Sequence, residues 1–346
     1  DDAPKQGKLI LDCSCAPADI RYPTDLSLLN EGREKLEHVI DVLHDPLKGK
    51  EKKPRTYRRN ARKDFLKVAK KKRSTKKEIR KAIGKQLRYV KRDLDHIDKL
   101  KERTSLTHLK KRNYHDLLVI GELYRQQKQM WERREHKIPG RIVSISQPHV
   151  RPMVRGKASA DVEFGAKISV SLIGGYSFLD RLSWDPYHDS VDLKMQVENY
   201  KRRFGCYPVS VHADKIYRTR ENISYCRERG IRLCGPPLGR PRLVTKLEAA
   251  REKRRRRRDE RYRIPIEGKF GQGKRRFSLD RIMSKLAVTS GSTISVIFLV
   301  MNLEKLLRDF LLFLSSLFLI FRARDWLLRV GLFPRYSISN RSDASW

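Results

Sequence analysis

Short apolar runs of strand length alternate with longer amphipathic segments along this chain, and the alternation limits the folds open to it. Residues 8–15 (KLILDCSC) form an apolar run that predicts a buried strand, with Asp12 inside it. From Thr24 onward the apolar residues recur at helical spacing, and Thr24 or Asp25 caps the predicted helix. Because an acid in a buried strand is costly unless a positive group meets it, Asp12 is a candidate functional residue.

Residues 50–135 are predicted to be helical and are strongly basic. Apolar positions recur every three or four residues, at Ile79, Ile83, Leu87, Val90, Leu94 and Ile97. Two interpretations stay open for the charge: a solvated helix surface, or contact with a DNA backbone. The second is supported because the excess charge has one sign and is interleaved with tyrosines.

Strand signals return after Pro139-Gly140. A short β-branched strand is predicted at 142–146, and a hairpin at 164–172 and 176–182 around Gly174-Gly175. The pattern then predicts a helix at 191–204, a strand at 209–213 that ends on Asp214, a capped helix at 219–229 and a strand at 231–234. After Pro265, Glu267 is predicted to begin a helix. Strands alternating with helices indicate a mixed α/β sheet.

The composition indicates a polyanionic partner. The 346 residues include 79 Lys plus Arg against 41 Asp plus Glu, a net charge of +38, while 39% are hydrophobic, enough for a folded core. The five cysteines, Cys13, Cys15, Cys206, Cys226 and Cys234, match no zinc pattern and fit a reducing compartment. Cys13 and Cys15, inside the first apolar run, are interpreted as buried thiols.

The apolar runs at 294–301 and 310–321 invite a membrane interpretation. Each is shorter than the roughly 20 residues that a spanning helix needs, and charged residues separate them. We therefore expect core helices whose apolar faces pack within the protein, with Glu304, Lys305 and Arg308 at the surface. A membrane-associated protein anchored by 294–321 is kept as an alternative.

Two acids at strand ends, Asp12 and Asp214, and a third at a helix start, Glu267, suggest metal-dependent chemistry. Mg²⁺ prefers oxygen ligands, and paired divalent ions can activate a water or a 3′-hydroxyl and stabilise the leaving oxygen of a phosphodiester. Each acid taken alone is better explained as a strand-end or turn acid or as a helix cap. Their occurrence together in a basic chain favours the chemical interpretation.

Three runs carry a resemblance to a known family. GKLILDCSCAPADIRYPTDLSLLNEGREKL, VHADKIYRTRENISYCRERGIRL and IPIEGKFGQGKRRFSLDRIMSKL resemble the three acidic motifs of bacterial insertion-sequence DDE transposases, closest to the insertion-sequence-five family. The resemblance implies that Asp12, Asp214 and Glu267 are the catalytic, metal-binding acids. It also implies Mg²⁺ as cofactor, with Mn²⁺ as a substitute, and a ribonuclease H-like α/β core.

Related transposases carry the signature Y-x₂-R-x₃-E-x₆-K around the third acid. Counting from Glu267 places Arg263 and Lys274 in register, whereas Glu260 stands at the tyrosine position and Tyr262 lies two residues away. By resemblance, Arg263 and Lys274 hold DNA phosphates. The basic run that begins with Arg254, Arg255 and Arg256 is assigned to DNA binding as well.

The resemblance also implies an architecture and a function. Residues 1–45 and 141–290 would form the mixed-sheet catalytic core, 46–140 a basic helical insertion after the first strand, and 291–346 C-terminal helices and a tail. The enzyme would bind the terminal inverted repeats of its element as a homodimer, cut there and join the 3′-hydroxyl to target DNA, in the bacterial cytoplasm at the nucleoid and without a membrane partner. An upstream DNA-binding segment is expected to be missing. The rival is a non-catalytic basic nucleic-acid-binding protein.

Overall fold

The computed structural model describes residues 5–157, 160–239 and 245–329, with side chains described outside 155–161 and 324–329. The chain divides into two compact units, Asp1–Phe298 and Leu299–Trp346. The sheet and the predicted site residues all belong to the first unit.

A six-stranded mixed sheet forms the core of the first unit. Its strands are β1 (Lys8–Pro17), β2 (Arg151–Lys157), β3 (Ala160–Ile173), β4 (Tyr176–Ser183), β5 (Ser210–His212) and β6 (Arg232–Leu233). The order is β2-β3-β1-β5-β6, and β4 also pairs with β3. β3 runs antiparallel to β1, β2 and β4, whereas β1, β5 and β6 are mutually parallel neighbours. The α/β class predicted from the sequence is confirmed.

Eight α-helices accompany the sheet in the described residues. They are α1 (Asp25–His44), α2 (Arg58–Ala69), α3 (Lys76–Lys101), α4 (Lys111–Arg133), α5 (Asp192–Phe204), α6 (Arg220–Glu228), α7 (Lys246–Arg276) and α8 (Ala287–Arg329). Single 3₁₀ turns lie at Asp45–Leu47, Leu106–His108, Asp189–Val191 and Lys215–Tyr217. The predicted helices at 191–204 and 219–229 correspond to α5 and α6.

Local chemistry explains why the helices begin where they do. Thr24 caps α1 by accepting a hydrogen bond from the Ser27 backbone N–H, and Thr75 caps α3 in the same way with Glu78. The basic helical region is folded around its own apolar core, in which Leu36 and Ile40 of α1 pack with residues of α3 and α4 such as Val90 and Ile120. The basic side chains are therefore carried on packed helices.

The hairpin predicted around Gly174-Gly175 is present as β3 and β4. Both glycines adopt positive φ angles of 57° and 85°, the conformation that a tight two-residue hairpin turn requires. A different glycine, Gly165, lies on β3 opposite Pro17, where β3 pairs with the end of β1. A Cβ atom at this position would lie 2.1 Å from the Ala16 carbonyl oxygen. Close backbone approach therefore requires glycine at position 165.

Replacing Gly165 with Ala is expected to lower the free energy of unfolding by about 1–3 kcal/mol, because β1 must shift to admit the methyl group. Gly121→Ala is the matched control: Gly121 lies on α4 with no atom within 4 Å of the added Cβ, so that change is expected to be neutral or stabilising by up to about 1 kcal/mol. Chemical denaturation measures both. Equal changes in the free energy of unfolding for the two substitutions would show that the β1–β3 pairing tolerates a side chain at position 165.

Two predicted elements are wrong. Residues 142–146 form a buried loop rather than a strand, and the Ile142 backbone N–H donates to the Gln126 side-chain oxygen on α4 instead of to a strand. Glu267 does not begin a helix, because α7 continues through Pro265 and ends at Arg276. Proline removes only one backbone donor, and the burial of Ile266 and Phe270 on either side of Glu267 holds the helix together.

The C-terminal segment also differs from its prediction. A single helix, α8, replaces the expected set of packed helices, and residues 330–346 of the predicted tail lie outside the described residues. Apolar side chains such as Phe310, Phe313 and Phe318 are exposed rather than packed, because apolar residues surround this helix instead of forming one stripe. Among the described residues, no helix combines the length and apolar character needed to cross a bilayer.

Candidate functional site

The parallel pairing of β1 with β5 brings two of the predicted acids onto neighbouring elements. The last paired residues in the register are Ile10 and His212. Two residues further along the chain come Asp12, which lies in the middle of β1 rather than at the predicted strand end, and Asp214, which follows β5; both side chains are partly exposed. The backbone N–H groups of the following residues donate to these carboxylates, Cys13 to Asp12 at 2.9 Å and Lys215 to Asp214 at 2.6 Å. The two acids are thus held in place locally.

The third predicted acid, Glu267, lies on α7, which packs against β1 and β5. One helical turn earlier on α7, Arg263 reaches both Asp214 and Glu267. Its Nη2 lies 3.1 Å from Glu267 Oε1, and its Nη1 lies 3.9 Å from Asp214 Oδ1. One guanidinium therefore bridges an acid of the sheet and an acid of the helix.

Asp12 belongs to the same electrostatic group. Burial raises the pKa of Asp12 to about 6, the Cys13 N–H and the Arg263 charge oppose that rise, and the negative charges of Asp214 and Asp189 add to it. Asp12 therefore interacts electrostatically with both Asp214 and Arg263. The positive group that its position in a strand requires is Arg263.

Within the described residues, Arg263 lies within 4.0 Å of Asp214 and Glu267 but not of Asp12, on which it acts only through longer-range electrostatics. Among the described residues, the one group of three His, Cys, Asp or Glu whose ligand atoms all lie within 4.8 Å of one another is a different one. A cavity of about 480 Å³ opens beside Asp214, with Lys167, Tyr187 and Asp189 in its wall. The site has room for a substrate next to the acids.

The predicted DNA-binding residues differ in their surroundings. Arg254 and Arg255 are exposed on α7, whereas Arg256 pairs with Glu252 at 2.7 Å. Lys274 is largely buried, and its Nζ lies 4.0 Å from Glu163. Arg263 therefore lies beside Asp214 and Glu267, Lys274 lies beside Glu163, and Arg254 and Arg255 belong to the open surface of the same helix.

The structure also shows the surroundings of the position at which the transposase signature has tyrosine and this chain has Glu260. Glu260 is exposed on α7, while the ring of Tyr262 lies edge-on to His212 with centroids 5.2 Å apart. The Lys8 ammonium lies over the same ring, 3.5 Å from its centroid. Tyr262 thus contacts β1 and β5 rather than the three acids.

Sequence reasoning missed a second group of chemically capable side chains, formed by His212, Cys234 and Asp259. His212 and Cys234 are 22 residues apart in the chain, and Asp259 lies on another element, so their spacing matches no metal-binding motif. All five cysteines are free and buried, which confirms the expectation for Cys13 and Cys15. The parallel pairing of β5 with β6 is what brings Cys234 to His212.

Residues 211–304 match the family model described as Transposase DDE domain. This match supports a DDE transposase, an enzyme of the transposase and nuclease type whose substrate is DNA. The matched segment includes Asp214, Arg263 and Glu267, whereas Asp12 precedes it. Comparisons with curated proteins and with solved structures found no match.

Proposed function

We propose that this chain is a metal-dependent transposase of the insertion-sequence-five family that cuts at the terminal inverted repeats of its element and joins the 3′-hydroxyl to target DNA. The observation that carries the proposal is Arg263, which contacts Asp214 and Glu267 and interacts electrostatically with Asp12. We infer that the three acids, which come from distant parts of a basic chain, act as one group with Arg263. The transposase DDE match over residues 211–304 supports the same assignment.

We propose a ribonuclease H-like core because of the order and direction of the strands. An antiparallel series, β1, β3 and β4, continues into parallel strands β5 and β6 on the other side of β1. This order puts the middle of β1, which holds Asp12, next to β5, which Asp214 follows, at the centre of the sheet. α7 then supplies Glu267 from outside the sheet.

The three carboxylates fit hard divalent cations such as Mg²⁺ or Mn²⁺, because they offer oxygen ligands and leave positions for water and phosphate oxygens. Bound at such a site, these ions supply charge stabilisation and a more acidic water or hydroxyl for phosphodiester displacement. Asp12, Asp214 and Glu267 are the residues proposed to hold them. No covalent bond between the protein and the DNA is required.

Arg263 has two proposed roles. In the protein alone its guanidinium offsets the negative charge of Asp214 and Glu267, which would otherwise repel each other. When the carboxylates bind cations, the guanidinium becomes available for a bidentate contact with a DNA phosphate. Lys274, on the same helix, is proposed to contact phosphate from the other side of Glu267.

The basic helices are proposed to grip the DNA backbone. The excess positive charge of residues 50–135 lies mostly on α2, α3 and α4, and Arg254 and Arg255 extend it onto α7. Phosphate contacts position a protein on DNA without reading sequence, so this surface supplies affinity for both the element ends and the target. A homodimer on DNA, in the bacterial cytoplasm at the nucleoid, completes the proposal.

The double substitution Arg254→Gln with Arg255→Gln is expected to weaken DNA binding and to flatten its salt dependence. Removing one phosphate interaction should reduce the slope of log affinity against log salt by about 0.9. Binding is measured by fluorescence anisotropy over a range of salt concentrations. The control is Arg125→Gln, which removes an exposed α4 charge already paired with Glu122 at 2.6 Å and should change the slope less.

If the slope of log affinity against log salt is unchanged in the double variant, Arg254 and Arg255 belong to a solvated surface that does not contact DNA.

The full proposal is tested by a strand-transfer assay. The chain is given DNA carrying the terminal repeats that border its reading frame, a plasmid target and Mg²⁺, and joined products are sequenced. Binding without any joined or cut product would favour the non-catalytic nucleic-acid-binding alternative.

A further inference from the structure

A second cluster of side chains, distinct from the three acids, lies in the core where β5, β6 and α7 meet. His212 is on β5, Cys234 follows β6 and Asp259 is on α7, and all three are buried. One ligand atom from each lies within 4.8 Å of the others. The donors are an imidazole nitrogen, a thiol sulfur and a carboxylate oxygen.

The His212 ring lies between the other two donors, with Asp259 beside Nδ1 and Cys234 beside Nε2. It is 1% exposed, and its Nε2 lies 3.0 Å from the Ser210 hydroxyl. Its Nδ1 is buried without a hydrogen-bond partner in the described structure, and lies 3.8 Å from Asp259 Oδ1, beyond hydrogen-bond reach. A buried ring nitrogen without a partner is costly, whereas a nitrogen that binds a metal while its ring partner is hydrogen-bonded is the usual arrangement at a metal site.

The other two side chains are held in place around His212. Arg232 forms two hydrogen bonds with Asp259, at 2.8 and 2.9 Å, which fix the orientation of the carboxylate. The Cys234 sulfur lies 3.8 Å from His212 Nε2, and Cys234 as a whole residue is 4% exposed. Carboxylate ligands of metals are commonly hydrogen-bonded by such outer groups.

We propose that His212, Cys234 and Asp259 bind one Zn²⁺ ion, with a water molecule as the fourth ligand. Mixed nitrogen, sulfur and oxygen donors suit a borderline-soft tetrahedral ion, and bonds of about 2.0–2.3 Å put ligand atoms about 3–4 Å apart. A cavity of about 210 Å³ reaches the three residues and is also lined by Lys215 and Gly235. It gives room for the water; because Arg256 and Arg263 line it as well, the thiolate and the carboxylate must supply the negative charge that holds the ion.

The charges and the protons balance. Binding forms a zinc–sulfur bond as the Cys234 S–H bond breaks, and the proton passes to solvent. The thiolate and the Asp259 carboxylate then neutralise the two positive charges of the ion. Arg232 remains as the outer partner of Asp259.

The ion would join the elements that carry the acid site. His212 is two residues before Asp214 on the β5 side, and Asp259 is one helical turn before Arg263 on α7. A metal that links β5 to α7 therefore fixes Arg263 and Glu267 relative to Asp214. Its role is positional, since none of its ligands is among the three acids.

Cobalt substitution tests this site, because a thiolate bound to Co²⁺ gives an intense charge-transfer absorption in the near ultraviolet. The metal-free full chain is titrated with CoCl₂, and one equivalent is expected to produce that absorption and to be displaced by Zn²⁺. Cys234→Ser is expected to abolish the absorption, whereas Cys226→Ser, another buried thiol on α6, should leave it unchanged. Ser210→Ala is expected to weaken Co²⁺ affinity by about 10- to 100-fold, as loss of an outer partner usually does.

The proposal is overturned if the unaltered chain gives no thiolate absorption, or if the absorption survives in Cys234→Ser. Should Cys234→Ser fail to fold, the titration of the unaltered chain and the affinity of Ser210→Ala decide the question. Glu267→Gln separates this site from the acid site, since it should leave the cobalt absorption intact. Loss of that absorption in Glu267→Gln would place the cobalt among the acids and count against the cluster.

Discussion

Replacing Asp214 with Asn is expected to reduce DNA strand cleavage by at least about 1,000-fold while leaving DNA affinity nearly unchanged. The substitution removes one of the carboxylates proposed to hold the divalent cations, whose charge stabilisation is worth several kcal/mol, and each 1.36 kcal/mol of barrier is tenfold in rate. The Asp214 side chain is 48% exposed and Asn has nearly the same shape, so folding should be preserved. Single-turnover cleavage and anisotropy binding measure the two effects separately.

Asp95→Asn is the matched control for this prediction. Asp95, on α3, is 52% exposed, and the substitution removes the same charge far along the chain from the three acids. Its cleavage rate should stay close to that of the unaltered chain. If Asp214→Asn retained cleavage, or if both variants lost it equally, Asp214 would not be a metal-binding acid.

Asp93→Asn is expected to stabilise the protein, and to do so more as the pH rises. Asp93 on α3 is fully buried, and neither carboxylate oxygen has a hydrogen-bond partner within the described structure. Burial raises the pKa of Asp93 to about 8, Glu37 adds to the rise, and the charges of Arg33, Arg92 and Arg58 oppose it. The folded state therefore favours the protonated carboxyl group.

The direction of the pH effect follows from linkage. The pKa of Asp93 is higher in the folded state than its unfolded value of 3.8, so its contribution to stability is present below that value and is lost as the pH rises to about 8. The loss is at most about 1.4 kcal/mol per pH unit. Because Asn does not titrate, the advantage of the variant should grow from pH 5 to pH 8 and reach a few kcal/mol.

Chemical denaturation of the Asp93→Asn variant and of the unaltered chain at pH 5 and pH 8 measures this difference. Asp98→Asn, which removes the charge of an exposed acid on the same helix, is the control and should change the free energy of unfolding only slightly. A difference for Asp93→Asn that is the same at both pH values would contradict a raised pKa.

Much of the fold could be predicted because its signals are local. A few neighbouring residues are enough to predict three of its features: the strand around Asp12, the helix start at Thr24 and the hairpin turn at Gly174-Gly175. Residues 142–146 look like a strand for the same local reason. Their backbone is instead satisfied by the Gln126 side chain, a tertiary contact that the sequence pattern does not contain.

The acid site was predictable in part. Acids within or after apolar strands mark Asp12 and Asp214, although Asp12 lies inside β1 rather than at its end. Arg263 was found through the resemblance to the transposase signature, and the structure places it between Asp214 and Glu267. Glu267 was misplaced at a helix start, because proline ordinarily ends a helix and burial on α7 overrides that preference here.

The His212 cluster could not be predicted, because its members come from three separate elements. Cys234 reaches His212 through the parallel pairing of β5 and β6, and Asp259 reaches both through the packing of α7. Arg232, which fixes Asp259, is likewise 27 residues away from it in the chain. No spacing rule links such residues before the fold is known.

The most direct test of a metal-dependent acid site is strand cleavage by the unaltered chain on DNA that carries the terminal repeats of its own element. Cleavage is followed in Mg²⁺, in Mn²⁺ and in a chelator, with the product ends identified by end-labelling. The predicted result is cutting that requires either cation, stops in the chelator and leaves a free 3′-hydroxyl. Cutting that continues in the chelator, or tight binding with no cutting in either cation, would contradict the assignment of Asp12, Asp214 and Glu267.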